Sequence, residues 1–302
     1  MRLFRLLGLL LGIALPSATF APPRRPEISG VALVRLHVTN LEASRKFYAD
    51  TLGLPQGSQG CFSPMGAATC FFINFFQQIE LVSGEAPPPT NAVQALGFQV
   101  ADVAELRQYL LSRGVECGKV AVSNSGDHYI EVRDPEGHRL LFLSSSAKAG
   151  DLSLSPVSRR LIHSGFVVSD RAAEDKFYKD ILGFHVYWHG GMKEGEDNWV
   201  DMQVPEGTDW IEYMLKVPEN ATHKQLGVMN HIALGVPDIH GAQAQLIKNG
   251  WKGTEEPKIG RDGKWQLNLY DPDETRVELM EFKPTKEPCC SPYTGPHPGP
   301  PQ

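Results

Sequence analysis

Two histidines and two glutamates stand at corresponding places in the C-terminal half of this 302-residue chain: His163, Glu212, His231 and Glu278. The interval from His to Glu is 49 residues in the first pair and 47 in the second. Three of the four close or open an alternating apolar run, as in Arg160-Leu161-Ile162-His163, Asn230-His231-Ile232-Ala233 and Arg276-Val277-Glu278-Leu279, and Glu212 sits in Trp210-Ile211-Glu212-Tyr213. Alternation at period two marks a strand with one buried face. Imidazole and carboxylate together suit one borderline divalent ion: Ni, Zn, Co, Mn or Fe(II). Four such ligands leave positions for water or substrate when the ion takes five or six. A bound ion polarises carbonyl oxygens. A carboxylate that loosens from it, Glu278 or Glu212, can move a proton on the substrate carbon. One His on an apolar strand is usually an ordinary strand residue. Four groups at matching places in two units favour the metal reading.

The elements that must carry these residues repeat. Strand, helix, then several strands are expected at 31–82, 95–145, 161–216 and 229–282. Helices are read at Leu41 to Leu52, Ala104 to Leu111, Ala172 to Leu182 and Ile239 to Asn249, each from apolar spacing with polar faces. Phe47-Tyr48 and Leu52-Gly53 recur as Phe177-Tyr178 and Leu182-Gly183, and Asp134-Pro135 recurs as Asp271-Pro272. The offset between copies grows from 130 to 137 residues, which is the mark of one duplicated domain with small loop insertions. The organisation expected is a first domain at 30–145, a Ser/Ala/Gly/Pro linker at 146–158, a second domain at 159–282, and a Pro-rich tail at 283–302, extended or disordered. The fold class is α+β.

The first domain serves as an internal control. Aligning the repeats puts Leu33 where His163 stands, Ala95 where His231 stands and Leu141 where Glu278 stands. Glu80 alone remains, and one carboxylate makes no site. The first domain is therefore read as degenerate and structural.

Composition sets the outer bounds. A hydrophobic content of 41% with 21% charged residues suits a globular chain of two domains. Residues 1–21 show the three-part pattern of an export signal: Arg2 and Arg5, the apolar run Leu6 to Leu15, then small residues, with cleavage after Ala18 or Ala21. The chain is thus expected to be exported, periplasmic or secreted. Losing that segment moves the formal net charge from −6 to −8, which argues against nucleic acid or an anionic membrane as partner. A small-molecule substrate is expected, and a homodimer is left open. Of five cysteines, Cys61 and Cys70 could pair across a hairpin, whereas adjacent Cys289 and Cys290 are not expected to pair with each other. Candidates for shaping substrate choice are Lys264 and Arg261, which could hold an anionic group, and Trp265, which with Trp199 and Trp210 could wall an aromatic pocket.

Four βαβββ-type units, with Phe-Tyr in the helix, Leu-Gly after it and Asp-Pro before the last strand, resemble the vicinal oxygen chelate superfamily. That group includes glyoxalase I, extradiol ring-cleaving dioxygenases, methylmalonyl-CoA epimerase, fosfomycin-resistance enzymes and bleomycin-sequestering proteins. The resemblance covers roughly residues 30–282 and implies tandem units pairing into two half-barrel domains. It also implies that His163, Glu212, His231 and Glu278 are the metal ligands of the second domain. A His/Glu/His/Glu set looks closest to glyoxalase I, a lyase or isomerase. An empty first domain before a loaded second one also resembles the extradiol dioxygenases, for which His163, His231 and Glu278 would supply the iron triad. That family carries a catalytic His where this chain has Glu212. It also spaces its final Tyr from the acidic-Pro pair, whereas Tyr270, kept as a substrate candidate, abuts Asp271-Pro272. Since glutathione adducts are cytoplasmic, export leaves related reactions open. A non-catalytic binding protein is the alternative from another class; the intact ligand set favours an enzyme.

Overall fold

The computed structural model describes residues 23–57, 60–63, 67–84, 91–145 and 153–300. The expected export signal and the first half of the expected linker lie outside the described residues. Two curled mixed sheets carry the chain. The first contains β1 (Ile28–Val38), β2 (Thr69–Phe72), β3 (Gln78–Ser83), β4 (Val93–Val100), β5 (Ala121–Val122), β6 (His128–Arg133) and β7 (Arg139–Ser144) in the order β2-β3-β1-β4-β7-β6-β5. The second contains β8 (Arg160–Val167), β9 (His185–Gly190), β10 (Trp199–Gln203), β11 (Trp210–Met214), β12 (His231–Val236), β13 (Lys258–Ile259), β14 (Trp265–Tyr270) and β15 (Arg276–Glu281) in the order β13-β14-β15-β12-β8-β11-β10-β9. These are the two half-barrels of tandem βαβββ units.

Each sheet is built around one antiparallel seam, β1 on β4 and β8 on β12. Each seam strand also pairs in parallel with the last strand of its own unit: β3, β7, β11 and β15. Strands β8 and β12 are buried on both faces, one in the core shared with the first sheet; six successive residues of each are buried. The helices start where the sequence offers caps. Asp102 accepts from Glu105 N before α2 (Val103–Ser112), and Asp238 accepts from His240 N before α5 (Ile239–Lys248). The latter buries Ile239, Ala242 and Leu246 at helical spacing against the sheet. The helices carrying Phe-Tyr begin as α-helix, α1 (Leu41–Lys46) and α3 (Arg171–Asp175), and continue as π-helix, Phe47–Thr51 and Lys176–Ile181. One further helix, α4 (His223–Met229), is not legible from periodicity; a capping box of Thr222 and Gln225 starts it. Among the described residues no helix is long and apolar enough to cross a membrane.

The two domains share one core, and their contacts repeat in mirrored fashion. Tyr48 OH donates to Asp271 Oδ2 at 3.2 Å, and Tyr178 OH donates to Asp134 Oδ2 at 3.1 Å. Gln77 spans the two sheets, donating to Val31 O and Leu161 O and accepting from Leu161 N.

The cysteines of the tail depart from expectation. Residues 283–300 have no regular secondary structure, yet they dock on the second sheet. Thr294 N bonds Tyr187 O, Trp188 Nε1 donates to Cys289 O, and Gln203 Nε2 donates to Pro296 O. Aromatic partners on β9 give this Pro-rich stretch something to bury. Within it Cys289 and Cys290 do form a disulfide, as do Cys61 and Cys70. The adjacent pair closes because Cys290 adopts a left-handed backbone at φ 77° while Cys289 is pinned on both sides, its N–H on Arg261 O and its carbonyl on Trp188.

Candidate metal centre

The four central strands of the second sheet each deliver one side chain to its concave face: Glu278 from β15, His231 from β12, His163 from β8 and Glu212 from β11. The ladder fixes this convergence. Ala233 lies between His163 and Glu278, and Gly165 lies between His231 and Glu212. Gly165 is required there. A Cβ at that position would stand 2.1 Å from His231 Cε1, so the imidazole lies across bare backbone.

His163 Nε2 is 3.1 Å from His231 Nε2. Glu212 Oε2 lies 3.1 Å from His231 Nε2 and 3.7 Å from His163 Nε2. Glu278 Oε2 lies 3.7 Å and 3.8 Å from the same two nitrogens. His163, His231 and Glu278 are buried, with one ligand atom each inside a 4.8 Å group. Glu212 is the most open of the four, on the cavity side.

The donor set fits a cation. His231 Nδ1 bonds Met229 O at 2.9 Å, which assigns the proton to Nδ1 and leaves a lone pair on Nε2, pointing at the centre. Arg276 Nη2 donates into that lone pair at 2.7 Å and approaches Glu212 and Glu278 to 4.0 Å. A guanidinium thus stands at the rim of a centre built for positive charge. Burial, reinforced for each by nearby positive charge, holds both imidazoles well below the usual 6.5, so they are neutral. Burial pushes the Glu212 and Glu278 carboxyls up to about 7, against the pull of Arg276.

A cavity of about 390 Å³ opens over the centre, within the range of small-molecule sites. Trp188, Trp199, Met192 and Met280 give it apolar walls, and Asp201, Asp262, Gln266 and Asn268 give it polar ones. Arg261 lines its mouth, held by Gly191 O at 3.1 Å. Lys264 does not line it. That ammonium is fully buried beneath, 4.5 Å from the Trp210 ring centre and 5.1 Å from those of Tyr187 and Tyr293. Burial lowers its affinity for a proton, while Asp262 and Asp201 oppose that. Trp265 points the other way and packs on His240 of α5. Tyr270 pairs with Arg276 across the ladder and lines no part of the cavity. Trp210 lies under His163, ring centres 4.7 Å apart.

Sequence reasoning missed Arg276, Asp201, Gln266 and Asn268. Period two held the signal for Arg276, because residue 276 shares a face with residue 278. Asn268 is the cross-strand neighbour of Glu278, and Asp201 that of Glu212. Those pairings need the register, which no local pattern supplies.

Comparison with known proteins places the chain. The family model described as Glyoxalase/Bleomycin resistance protein/Dioxygenase superfamily matches residues 30–142 and 160–279. Lactoylglutathione lyase of Haemophilus influenzae is 26% identical over 129 residues, covering 42% of this chain and 96% of that protein. A probable chloroplastic lactoylglutathione lyase of Arabidopsis thaliana is 26% identical over 137 residues, 44% of this chain; the matched stretch spans 38% of that protein's length. Among solved structures, a single-residue variant of homoprotocatechuate 2,3-dioxygenase from B. fuscum superposes with a TM-score of 0.66 at 22% identity, over 85% of this chain and 72% of that one. The corresponding Arthrobacter globiformis enzyme gives 0.63 at 22%, over 87% and 84%. At that identity the structural likeness speaks for the fold.

Proposed function

Since the chain belongs to the glyoxalase/bleomycin resistance protein/dioxygenase superfamily, we propose that it is a divalent-metal-dependent lyase or isomerase, glyoxalase-I-like, acting on a small substrate with vicinal oxygens. The observation that carries this reading is the fourth ligand: Glu212 Oε2 stands 3.1 Å from His231 Nε2, completing a two-nitrogen, two-oxygen set. His163, Glu212, His231 and Glu278 would hold the ion, whose contribution when bound is Lewis-acid polarisation of substrate oxygens.

The chain's own residues do the rest. Trp188 and Trp199 exclude water on the apolar side of the cavity, and Arg261 stands where an anionic substrate group would enter. Glu278 or Glu212 takes a proton from substrate carbon and returns it. A carboxyl raised to about 7 is a stronger base than a free one, and it is matched to a proton transfer near neutral pH. Arg276, 4.0 Å from each carboxylate, steadies the charged form of whichever acts. We propose as well that residues 1–21 direct export of the chain.

One observation favours a second reading. His163, His231 and Glu278 are the buried members of the set and Glu212 the more open one, and those three make the two-His, one-carboxylate set of a non-haem iron site. An extradiol ring-cleaving dioxygenase would use that set. A binding protein without catalysis is the third outcome. The test is metal content of purified protein, wild type beside His163→Ala and Glu212→Ala. One nickel, zinc or cobalt ion per chain that wild type holds and both variants lack supports the lyase or isomerase. Iron retained without Glu212 moves the assignment to the dioxygenase, followed by oxygen uptake with catechols. No metal in the wild type, even after reconstitution, sinks both enzymatic readings.

A further inference from the structure

A second group of ligand types lies at the junction of the two domains, away from the cavity. Asp134 and His138 flank the turn between β6 and β7 of the first domain, and Glu174 comes from α3 of the second. One nitrogen and two carboxylate oxygens from these residues lie within 4.8 Å of one another. Asp134 and Glu174 are buried and His138 is half-buried, its ring packed 4.5 Å from that of Phe166.

The hydrogen bonds here leave the charge unanswered. His138 Nδ1 is 2.8 Å from Asp134 Oδ2, and Tyr178 OH donates to the same oxygen at 3.1 Å. Glu174 Oε1 accepts from Glu136 N at 3.1 Å. Glu174 Oε2 has no partner among the described residues, although the side chain is fully buried. No Arg or Lys pairs with either carboxylate among them. A buried carboxylate oxygen with no donor is costly, and such groups are normally paired or bound to a cation.

The duplicated fold supplies a control. The mirrored contact on the other side of the junction has Tyr48 on Asp271, as Tyr178 is on Asp134. Where the helix carries Glu174, that copy carries Ser44; where the turn carries His138, it carries Thr275. The backbone bond from Asp134 N to His138 O is matched by Asp271 N to Thr275 O. The fold thus forms with two neutral hydroxyls at this place, both buried and without a hydrogen-bond partner among the described residues. The imidazole and the second carboxylate are not needed for it.

We infer that Asp134, His138 and Glu174 bind a divalent metal ion, zinc or a similar borderline cation, that ties the two domains together. Bonds of about 2.1 Å to one zinc ion set its ligands roughly 3.4 Å apart. Three ligand atoms already inside 4.8 Å reach that arrangement with small side-chain adjustments. Three protein ligands leave the fourth position of a tetrahedral ion to a water molecule, while packing from both domains buries the two carboxylates.

The test is zinc stoichiometry and thermal stability of the full chain, stripped of metal and reloaded with zinc alone. In His231→Ala, which disables the first centre, one zinc per chain should remain and should raise the Tm. Adding Glu174→Ser with His138→Thr, the residues of the mirrored copy, should remove both the zinc and the Tm rise. Adding Glu174→Gln alone, which keeps the shape of the side chain, should weaken zinc binding at least tenfold. A His231→Ala chain that binds no zinc at submillimolar free metal overturns the inference, as does a Glu174→Ser/His138→Thr variant that keeps its parent's stoichiometry and Tm rise. Failure of the first centre looks different: wild type and His231→Ala would each hold one zinc, lost on replacing Glu174 and His138.

Discussion

The same four ladder positions hold opposite things in the two domains. In the second they are His163, Glu212, His231 and Glu278 around Gly165. In the first they are Leu33, Glu80, Ala95 and Leu141 around Arg35. The surviving carboxylate of the first domain is neutralised from within: Arg35 donates to Glu80 through Nη2 at 2.8 Å and Nε at 3.0 Å, and Ser63 donates twice more. Phe62 then plugs the concave face against Leu33, Ala95, Leu141 and Tyr129, with the Cys61–Cys70 bridge beside it. A degenerate half-barrel is thus more than a half-barrel with ligands deleted. Its hollow is filled, with Arg35 at the ladder place of Gly165 and Phe62 over the concave face, while its core is continuous with that of the second domain.

The sharpest way to break that comparison is to move the arginine. Gly165→Arg in the second domain should abolish metal binding at the His163/Glu212/His231/Glu278 centre, because the new side chain displaces His231 and brings its own cation to Glu212. Metal analysis of the folded variant beside His231→Ala decides it; an ion held beyond what His231→Ala retains would refute the equivalence of positions 35 and 165. Next in size is Arg35→Ala, which strands the fully buried Glu80. A loss of about 3–5 kcal/mol in urea denaturation is expected; a change under about 1 kcal/mol would mean that Ser63 alone suffices. The smallest effect is graded. Below about 7 Glu212 and Glu278 carry protons in the metal-free fold, and a bound ion must expel them. Affinity should therefore be highest above that value and fall by up to about tenfold per pH unit for each proton as pH drops through it. Competition with a chromogenic chelator across roughly pH 5.5 to 8.5 measures the slope, and a flat profile would contradict the raised carboxyls.

Much of this is written locally in the chain. Alternation marks β8, β12 and β15 and sets His163, His231 and Glu278 on one face of each. The doubled Phe-Tyr, Leu-Gly and Asp-Pro signals give the four units, and aligning the repeats names Leu33, Ala95 and Leu141 without the ladder. What escapes depends on register and depth. Lys264 reads as a loop cation beside Gly263, yet three aromatic rings enclose it. Trp265 is one residue out of phase with Gln266, and that single step sends its ring to α5 while Gln266 faces the cavity. Arg276 is legible by phase, but a guanidinium is not expected where a cation is to bind. The tail carries no periodicity, and only the aromatic surface it meets gives it a fixed path.

That tail has a consequence in time. The core of the first domain closes by Ser144, and the strands that bear the four candidate ligands are complete by Glu281. Trp188, a wall of the cavity, donates its indole N–H to Cys289 O, and Tyr187 beneath it is covered by Tyr293 and His297. During synthesis from the N-terminus at about 5–20 residues per second, the first sheet can form first and the sheet with the four candidate ligands second. The pocket wall comes last, assembled around a sheet that has already been made.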